Sequence, residues 1–205
     1  GVVHSPALAP PLCYKGCKGL GPPVREECDA VGGNAGYDSF KTIHVKTFSE
    51  EDEGLTFVAS ASHNTPETDS FIAKYKKPNY ESRGSSLKLL MVAEGSAHIY
   101  PRLAPTMEWD TCAAQAIVEC AGGKVLQAAG DVPADAGKPV VYNKPNLRNP
   151  YFIVYGNVVQ KKAKKAKKAI KFGEEEKSSL VSPVNIVLVV VLAIAVFYFT
   201  TVANK

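Results

Sequence analysis

The chain has 205 residues, of which 45% are hydrophobic, 21% charged and 9% aromatic. That composition supports one packed domain, or one and a half, and excludes a wholly disordered, collagen-like or disulfide-knotted protein. The formal charge is +4, from 24 Lys and Arg against 20 Asp and Glu, and it is unevenly spread. Residues 160–205 hold nine Lys and three Glu (net +6), while residues 1–159 hold 15 basic and 17 acidic side chains (net −2). The body is therefore not a nucleic-acid-coating surface, and no nucleic-acid partner is expected.

Residues 1–48 read as short strands joined by Pro and Gly turns: Gly1–His4, Leu12–Gly16 and Lys41–Val45. Asp29 to Asp38 (DAVGGNAGYD) reads as a loop, because no helix-period segment follows its Gly pair as a phosphate-binding loop requires. Leu55–Ser60 is a buried strand candidate. Thr65-Pro66-Glu67 then opens a helix through about Tyr75, with proline early and acids in the first turn.

Ser85–Ala93 (SSLKLLMVA) is apolar at helical spacing. Ala97–Tyr100 is a strand, and Pro101 and Pro105 bracket a connector. Asp110–Ala121 is a small-residue helix, started at Asp110 and stopped by Gly122-Gly123. Val125-Leu126 and Tyr151–Tyr155 are further strands. The alternation of strands and helices predicts an α/β domain over residues 1–158.

The tail differs from the body. Residues 159–183 form a Lys-rich linker around Lys161–Lys171 (KKAKKAKKAIK). Val184–Ala203 is twenty residues without a charge, enough to cross a hydrocarbon core of ~30 Å at ~1.5 Å per residue. A transmembrane helix is expected there, with membrane lipid as its partner. The lysine block is expected to hold the body on the cytosolic face, since positive charge stays cytoplasmic, with a solvated spacer or an RNA- or nucleus-directed basic tract as the alternatives.

Five cysteines, at 13, 17, 28, 112 and 120, are expected as reduced thiols. Cys112 and Cys120 read as small buried hydrophobes. His4, His44, His63 and His98 are scattered, and no His or Cys cluster has the spacing of a four-ligand zinc site.

Three clusters carry possible chemistry. Ser60-Ala61-Ser62-His63 follows a buried strand, where side chains project into a cleft. His63 there is either structural or a contact to phosphate or base. Gly84-Ser85-Ser86-Leu87-Lys88 opens a helix, where free N–H groups, hydroxyls and Lys88 favour an anion, although a plain serine cap is equally consistent. Tyr100-Pro101-Arg102 precedes Trp109-Asp110. Arg102 offers a planar fork for phosphate. Asp110 is either an N-cap or a carboxylate aimed at a divalent cation.

Together these segments resemble a known family. The run from Gly84 to Gly123 is similar to the inositol monophosphatase-like, magnesium-dependent phosphatases, and within them to the 3′(2′),5′-bisphosphate nucleotidases of the CysQ type. WDTCAAQAIVECAGG fits the W-D-x-A-A…A-G-G pattern, with Cys112 in place of the usual Ala. GSSLK and YPR point to the nucleotidase branch. The resemblance implies part of an αβαβα sandwich, mainly its second α/β half. It implies Asp110 as a magnesium ligand, and His63, Ser85, Lys88, Arg102 and Asp110 around a nucleotide substrate, adenosine 3′,5′-bisphosphate. An inositol-phosphate phosphatase of the same superfamily, or a catalytically dead membrane-tethered binding module, are the alternatives.

The family's Asp-Pro-x-Asp-Gly-Thr metal motif does not occur in these 205 residues. The expectation is that this motif, and with it the catalytic residues, lies upstream of Gly1. The chain alone, with one metal carboxylate, is then expected to be inactive.

Overall fold

The first strand pairs are antiparallel. β1 (Val2–Ser5), β2 (Leu12–Lys15), β3 (Val24–Glu27) and β4 (Lys41–Thr42) form a four-stranded sheet in chain order. The computed structural model describes residues 1–28, 40–59, 65–84, 86–130, 132 and 134–160, within one unit that runs Gly1–Ala163. The expected Asp29–Asp38 loop, His63, Ser85, most of the Lys-rich linker and the Val184–Ala203 span lie outside the described residues. Among the described residues no helix is long and apolar enough to cross a membrane.

A second sheet has five strands in the order β7-β6-β8-β10-β9. Its members are β6 (Thr56–Ala59), β7 (Asn79–Ser82), β8 (Ile99–Arg102), β9 (Lys124–Ala128) and β10 (Tyr151–Tyr155). β6 runs parallel to β7 and β8, and β10 pairs antiparallel with β8 and β9. β5 (Thr47–Phe48) and β11 (Asn157–Val158) form a short parallel pair.

The helices α2 (Leu87–Ala93) and α3 (Glu108–Cys120) pack against each other and share one buried cluster with both sheets. That cluster joins Tyr14 from the first sheet, Leu90 and Val92 from α2, Ile117 and Val118 from α3, and Phe152 and Val154 from the second sheet. The other face of the five-stranded sheet is covered by α1 (Pro66–Ile72), through Phe57, Ile72 and Ile99 with Tyr75 and Tyr155 packed on them. The alternation in β10 is the cause: Phe152 and Val154 face one helical layer, and Ile153 and Tyr155 face the other. The described residues thus stack as sheet, helix pair, sheet, helix.

Several boundaries depart from expectation. β8 does not stop at Tyr100 but runs through Pro101 to Arg102. The proline is tolerated because β6 pairs with β8 only at Phe57↔Ile99, so no ladder partner stands on its missing N–H side. β3 and β7 were not anticipated: VREE and NYES are polar, and β7 is an exposed edge strand. The Lys41–Val45 strand shrinks to Lys41–Thr42, and α1 ends at Ile72 instead of Tyr75. Cys112 is exposed and Cys120 only half-buried, contrary to the buried reading. The inner face of α3 is instead Thr111, Ala114, Gln115, Ile117 and Val118. All five cysteines are free thiols.

α3 ends as its Gly pair predicts. Gly122 takes φ +92, its N–H bonds Glu119 O at 3.1 Å, and the Gly123 N–H bonds Val118 O at 2.9 Å, a Schellman closure. A Cβ on Gly123 would meet Tyr155 O at 2.7 Å, so both glycines are required by geometry.

Candidate functional site

Lys88 lies on the buried side of α2, flanked by Leu89 and Leu90, and is 7% exposed. Its ammonium sits 5.4 Å from the centre of the Tyr100 ring and has no hydrogen-bond or ion-pair partner among the described residues. Burial, and then the nearby Arg102 charge, hold its pKa below the ordinary lysine value.

Arg102 closes β8. Its Nη2 donates to Pro105 O at 3.0 Å, which folds the connector back and fixes the guanidinium. Its Nε is buried without a hydrogen-bond partner among the described residues. A buried charged donor left unpaired is costly, which makes this Nε a favourable contact for an anionic acceptor.

Tyr100 stacks edge-on to Phe152 at 6.1 Å. Burial pushes its phenol up to about 12, with Asp110 adding to the rise and Arg102 opposing it, so the hydroxyl stays a donor at neutral pH.

Asp110 is not the N-cap. α3 begins two residues earlier, with Met107 at the cap, and Asp110 is its third residue. Asp110 Oδ2 accepts the Met107 N–H at 2.8 Å, which fixes the carboxylate and leaves Oδ1 uncommitted among the described residues. Trp109, next to it, is 67% exposed and does not anchor the site.

These groups share one cavity of about 230 Å³, lined in part by Ser86, Lys88, Tyr100, Arg102, Asp110 and Thr111. Three of the residues singled out in the sequence (Lys88, Arg102 and Asp110) are therefore brought together, while His63 and Ser85 lie outside the described residues. The helix start itself contributes less than expected. α2 has seven residues and Ser86 makes no side-chain cap, so the cationic side chains dominate over the helix dipole. A larger cavity of about 690 Å³ beside Gly1, Gly16, Cys17 and Glu119 contains none of these residues.

Two cations and one carboxylate leave the cavity with a surplus positive charge, suited to an anion. Its volume is below the ~300–1,000 Å³ of pockets that engulf drug-sized ligands, and it fits one phosphate group rather than a whole nucleotide. Magnesium typically binds through one or two carboxylates, with phosphate and water supplying the rest. Asp110, a hard oxygen donor whose Oδ1 is uncommitted among the described residues, in one cavity with two cationic side chains, fits one corner of such a site.

The positioning residues were not foreseen from the sequence. Asn149 is 1% exposed; its Nδ2 donates to Met107 O at 2.8 Å and Thr111 Oγ1 at 3.0 Å, and its backbone N–H donates to Thr106 O at 3.0 Å. It clamps the turn that presents Asp110. Glu108 accepts the N–H groups of Asn143 and Lys144 at 2.8 and 3.0 Å and pairs with the Lys144 ammonium, whose hydrogen bond is the main reason its pKa falls to about 2. The only local signal was the Asn149-Pro150 dipeptide, which marks a turn but not its contacts. On the far side of α2, Glu94 Oε2 accepts from Tyr14 Oη at 3.0 Å and Arg25 Nη1 at 3.1 Å, tying the helix that carries Lys88 to β2 and β3.

Known proteins resemble this chain over most of its length. The model of the inositol monophosphatase family matches residues 1–175. The 3′(2′),5′-bisphosphate nucleotidase CysQ of Escherichia coli K12 is 38% identical over 155 residues, covering 75% of this chain and 53% of that protein. The Salmonella typhimurium CysQ is 44% identical over 125 residues, covering 61% and 44%. The crystal structure of CysQ from Bacteroides thetaiotaomicron, a bacterial member of the inositol monophosphatase family, superposes with a TM-score of 0.59 at 35% identity, over 72% of this chain and 55% of that one. The chain spans about half the length of the curated relatives it matches. A match that runs through both sheets and the Lys88–Arg102–Asp110 cavity shows that this chain belongs to the inositol monophosphatase family.

Proposed function

We propose that this chain carries the phosphate-gripping side of a magnesium-dependent 3′(2′),5′-bisphosphate nucleotidase, which removes the 3′-phosphate of 3′-phosphoadenosine 5′-phosphate to give AMP. The observation that carries the reading is the pair of buried cationic groups, the Lys88 ammonium and the Arg102 Nε, without anionic partners among the described residues and facing one cavity with Asp110. The CysQ proteins at 38–44% identity support the nucleotide over the inositol substrate.

In this reading Arg102 and Lys88 take the phosphate oxygens and draw off their charge, which lowers the cost of the developing charge as the P–O bond breaks. Tyr100, kept protonated, stacks against Phe152 and screens the ammonium from water. Asp110, held by the Met107 N–H, would hold the cation with Oδ1. Bound magnesium would supply charge neutralisation and an activated water.

The experiment compares binding of adenosine 3′,5′-bisphosphate and of inositol 1-phosphate by the chain and by its Arg102→Ala variant. The reading expects nucleotide preference and a loss of roughly 10- to 150-fold in the variant, from a charged hydrogen bond of about 1.5–3 kcal/mol. Preference for inositol phosphate selects the other branch of the family, and unchanged affinity in the variant rejects the site.

The proposal extends to the location. Residues 1–158 form the phosphatase part, 159–183 the linker and 184–203 a membrane anchor, with the body on the cytosolic side. Support comes from the uncharged twenty-residue run and the adjacent lysines. Retention in the membrane pellet after carbonate washing is expected, and release into the supernatant contradicts it.

A further inference from the structure

The four-stranded sheet gathers three metal-binding side chains that the sequence keeps apart. Cys13 on β2 stands directly across from Glu26 on β3, and Cys28 follows two residues later, so all three project from the same face. Their ligand atoms lie within 4.8 Å of one another, and the residues are 7%, 1% and 6% exposed. Lys15, two residues after Cys13 and on that face, pairs with Glu26 through Oε1. The second oxygen, Oε2, is buried with no hydrogen-bond partner among the described residues. Lys15 meets one oxygen of the carboxylate, so the other, shut away from water beside two thiols, is the atom that can take a second cation.

We propose that Cys13, Glu26 and Cys28 form a site for a soft divalent cation of the zinc type, which staples β2 to β3. The site shares no residue with the phosphate cavity and does not depend on the proposed activity. Thiolates select zinc over magnesium. Tetrahedral zinc with Zn–S bonds of about 2.3 Å places neighbouring ligands about 3.8 Å apart, so the observed spacing closes by no more than about 1 Å. Charge balances on both sides of the reaction. The empty site holds two thiols and the Glu26–Lys15 ion pair. The loaded site holds two thiolates, one carboxylate, one lysine and a dication, again neutral, with two protons released per cation. A water fills the fourth position.

A disulfide is the competing use of the two thiols, and the register argues against it. Cys13 and Cys28 are diagonal neighbours, a relation that spans about 7–8 Å, whereas a disulfide usually needs Cα atoms about 4.4–6.8 Å apart. The sequence hid the site because positions 13, 26 and 28 have no metal-motif spacing; only the hairpin pairing assembles them.

The test titrates the reduced, metal-free chain with Co²⁺ and then Zn²⁺. We expect one equivalent of Co²⁺ to give a thiolate-to-metal charge-transfer band that Zn²⁺ abolishes, with two protons released. A variant carrying Cys17→Ser, Cys112→Ser and Cys120→Ser should keep the band. Cys13→Ser and Cys28→Ser should lose it, and Lys15→Met should weaken binding about 10- to 100-fold by freeing the supporting contact. Should those serine variants not fold, alkylation mapped by mass on the unmodified chain decides: Zn²⁺ must slow reaction at Cys13 and Cys28 and leave Cys17 and Cys112 unaffected. No band, a band that survives both serine variants, zinc-independent alkylation, or a Cys13–Cys28 disulfide in place of bound metal overturns the proposal.

Discussion

Replacing Lys88 with Met separates what the residue does for the fold from what it does for the ligand. Met keeps the length and most of the volume, so the packing against Leu89 and Tyr100 is retained while the charge is lost. In the free protein the ammonium is buried, close enough to Arg102 to be repelled by it, and without a counter-ion among the described residues. Exchange of buried ionic groups for apolar ones of similar volume commonly stabilises by about 1–4 kcal/mol. With an aromatic face already offsetting part of the cost, the expected gain for Lys88→Met is about 1–2 kcal/mol. That corresponds to about 2–8 °C in Tm for a domain of this size. The sign with pH follows from the lowered pKa. Between its folded value and the ordinary 10.5, the unfolded chain holds more protons, so the native chain gains stability as pH rises through that window and the gap to Lys88→Met narrows. The same variant loses a charged contact to phosphate and should bind adenosine 3′,5′-bisphosphate roughly 10- to 150-fold more weakly. Denaturant unfolding at pH 7 and pH 10, with calorimetric titration of the ligand, reads both. A variant that is less stable at pH 7, or that binds the ligand as tightly as the native chain, refutes the reasoning.

Three further outcomes follow from the supporting structure. Asn149→Ala leaves the Met107 carbonyl and Thr111 hydroxyl without their buried donor and should cost about 1–3 kcal/mol in unfolding, with weaker ligand binding because the Asp110 turn loosens. Glu108→Gln should lower stability at neutral pH; because the native carboxyl titrates near 2, that difference holds above about pH 4.5 and fades as pH falls towards 2 in acid-unfolding curves. Gly123→Ala pushes a Cβ to 2.7 Å from Tyr155 O and should cost about 1–3 kcal/mol, visible as a lower Tm, while leaving the cavity residues in place.

The sequence was most informative where local patterning and packing agree. Ser85–Ala93, Asp110–Ala121 and Tyr151–Tyr155 are periodic and apolar, and each appears as a helix or strand within about two residues of its expected bounds. Polar edge strands were not legible: β7 is exposed along its whole length, and its pairing to β6 comes from tertiary placement after α1. Of the two uses the sequence left open for Asp110, the N-cap does not occur: it is the third residue of α3, and its carboxylate accepts the Met107 N–H from behind. Lys88 and Arg102 carried a type and a place, yet that the Lys88 ammonium and the Arg102 Nε have no anionic partner among the described residues is visible only once burial is known. Asn149 and Glu108 act through contacts 35–43 residues away, which no local pattern encodes.

The central claim is that Asp110 and the two cations hold a phosphate together with a divalent cation. Its most direct test is the affinity of adenosine 3′,5′-bisphosphate with and without Mg²⁺, for the native chain and for Asp110→Asn. The amide can still accept the Met107 N–H, so the helix start is preserved while the charge is removed. The account predicts that Mg²⁺ tightens binding to the native chain and has no such effect on Asp110→Asn. Tightening of equal size in both proteins, or none in either, contradicts it.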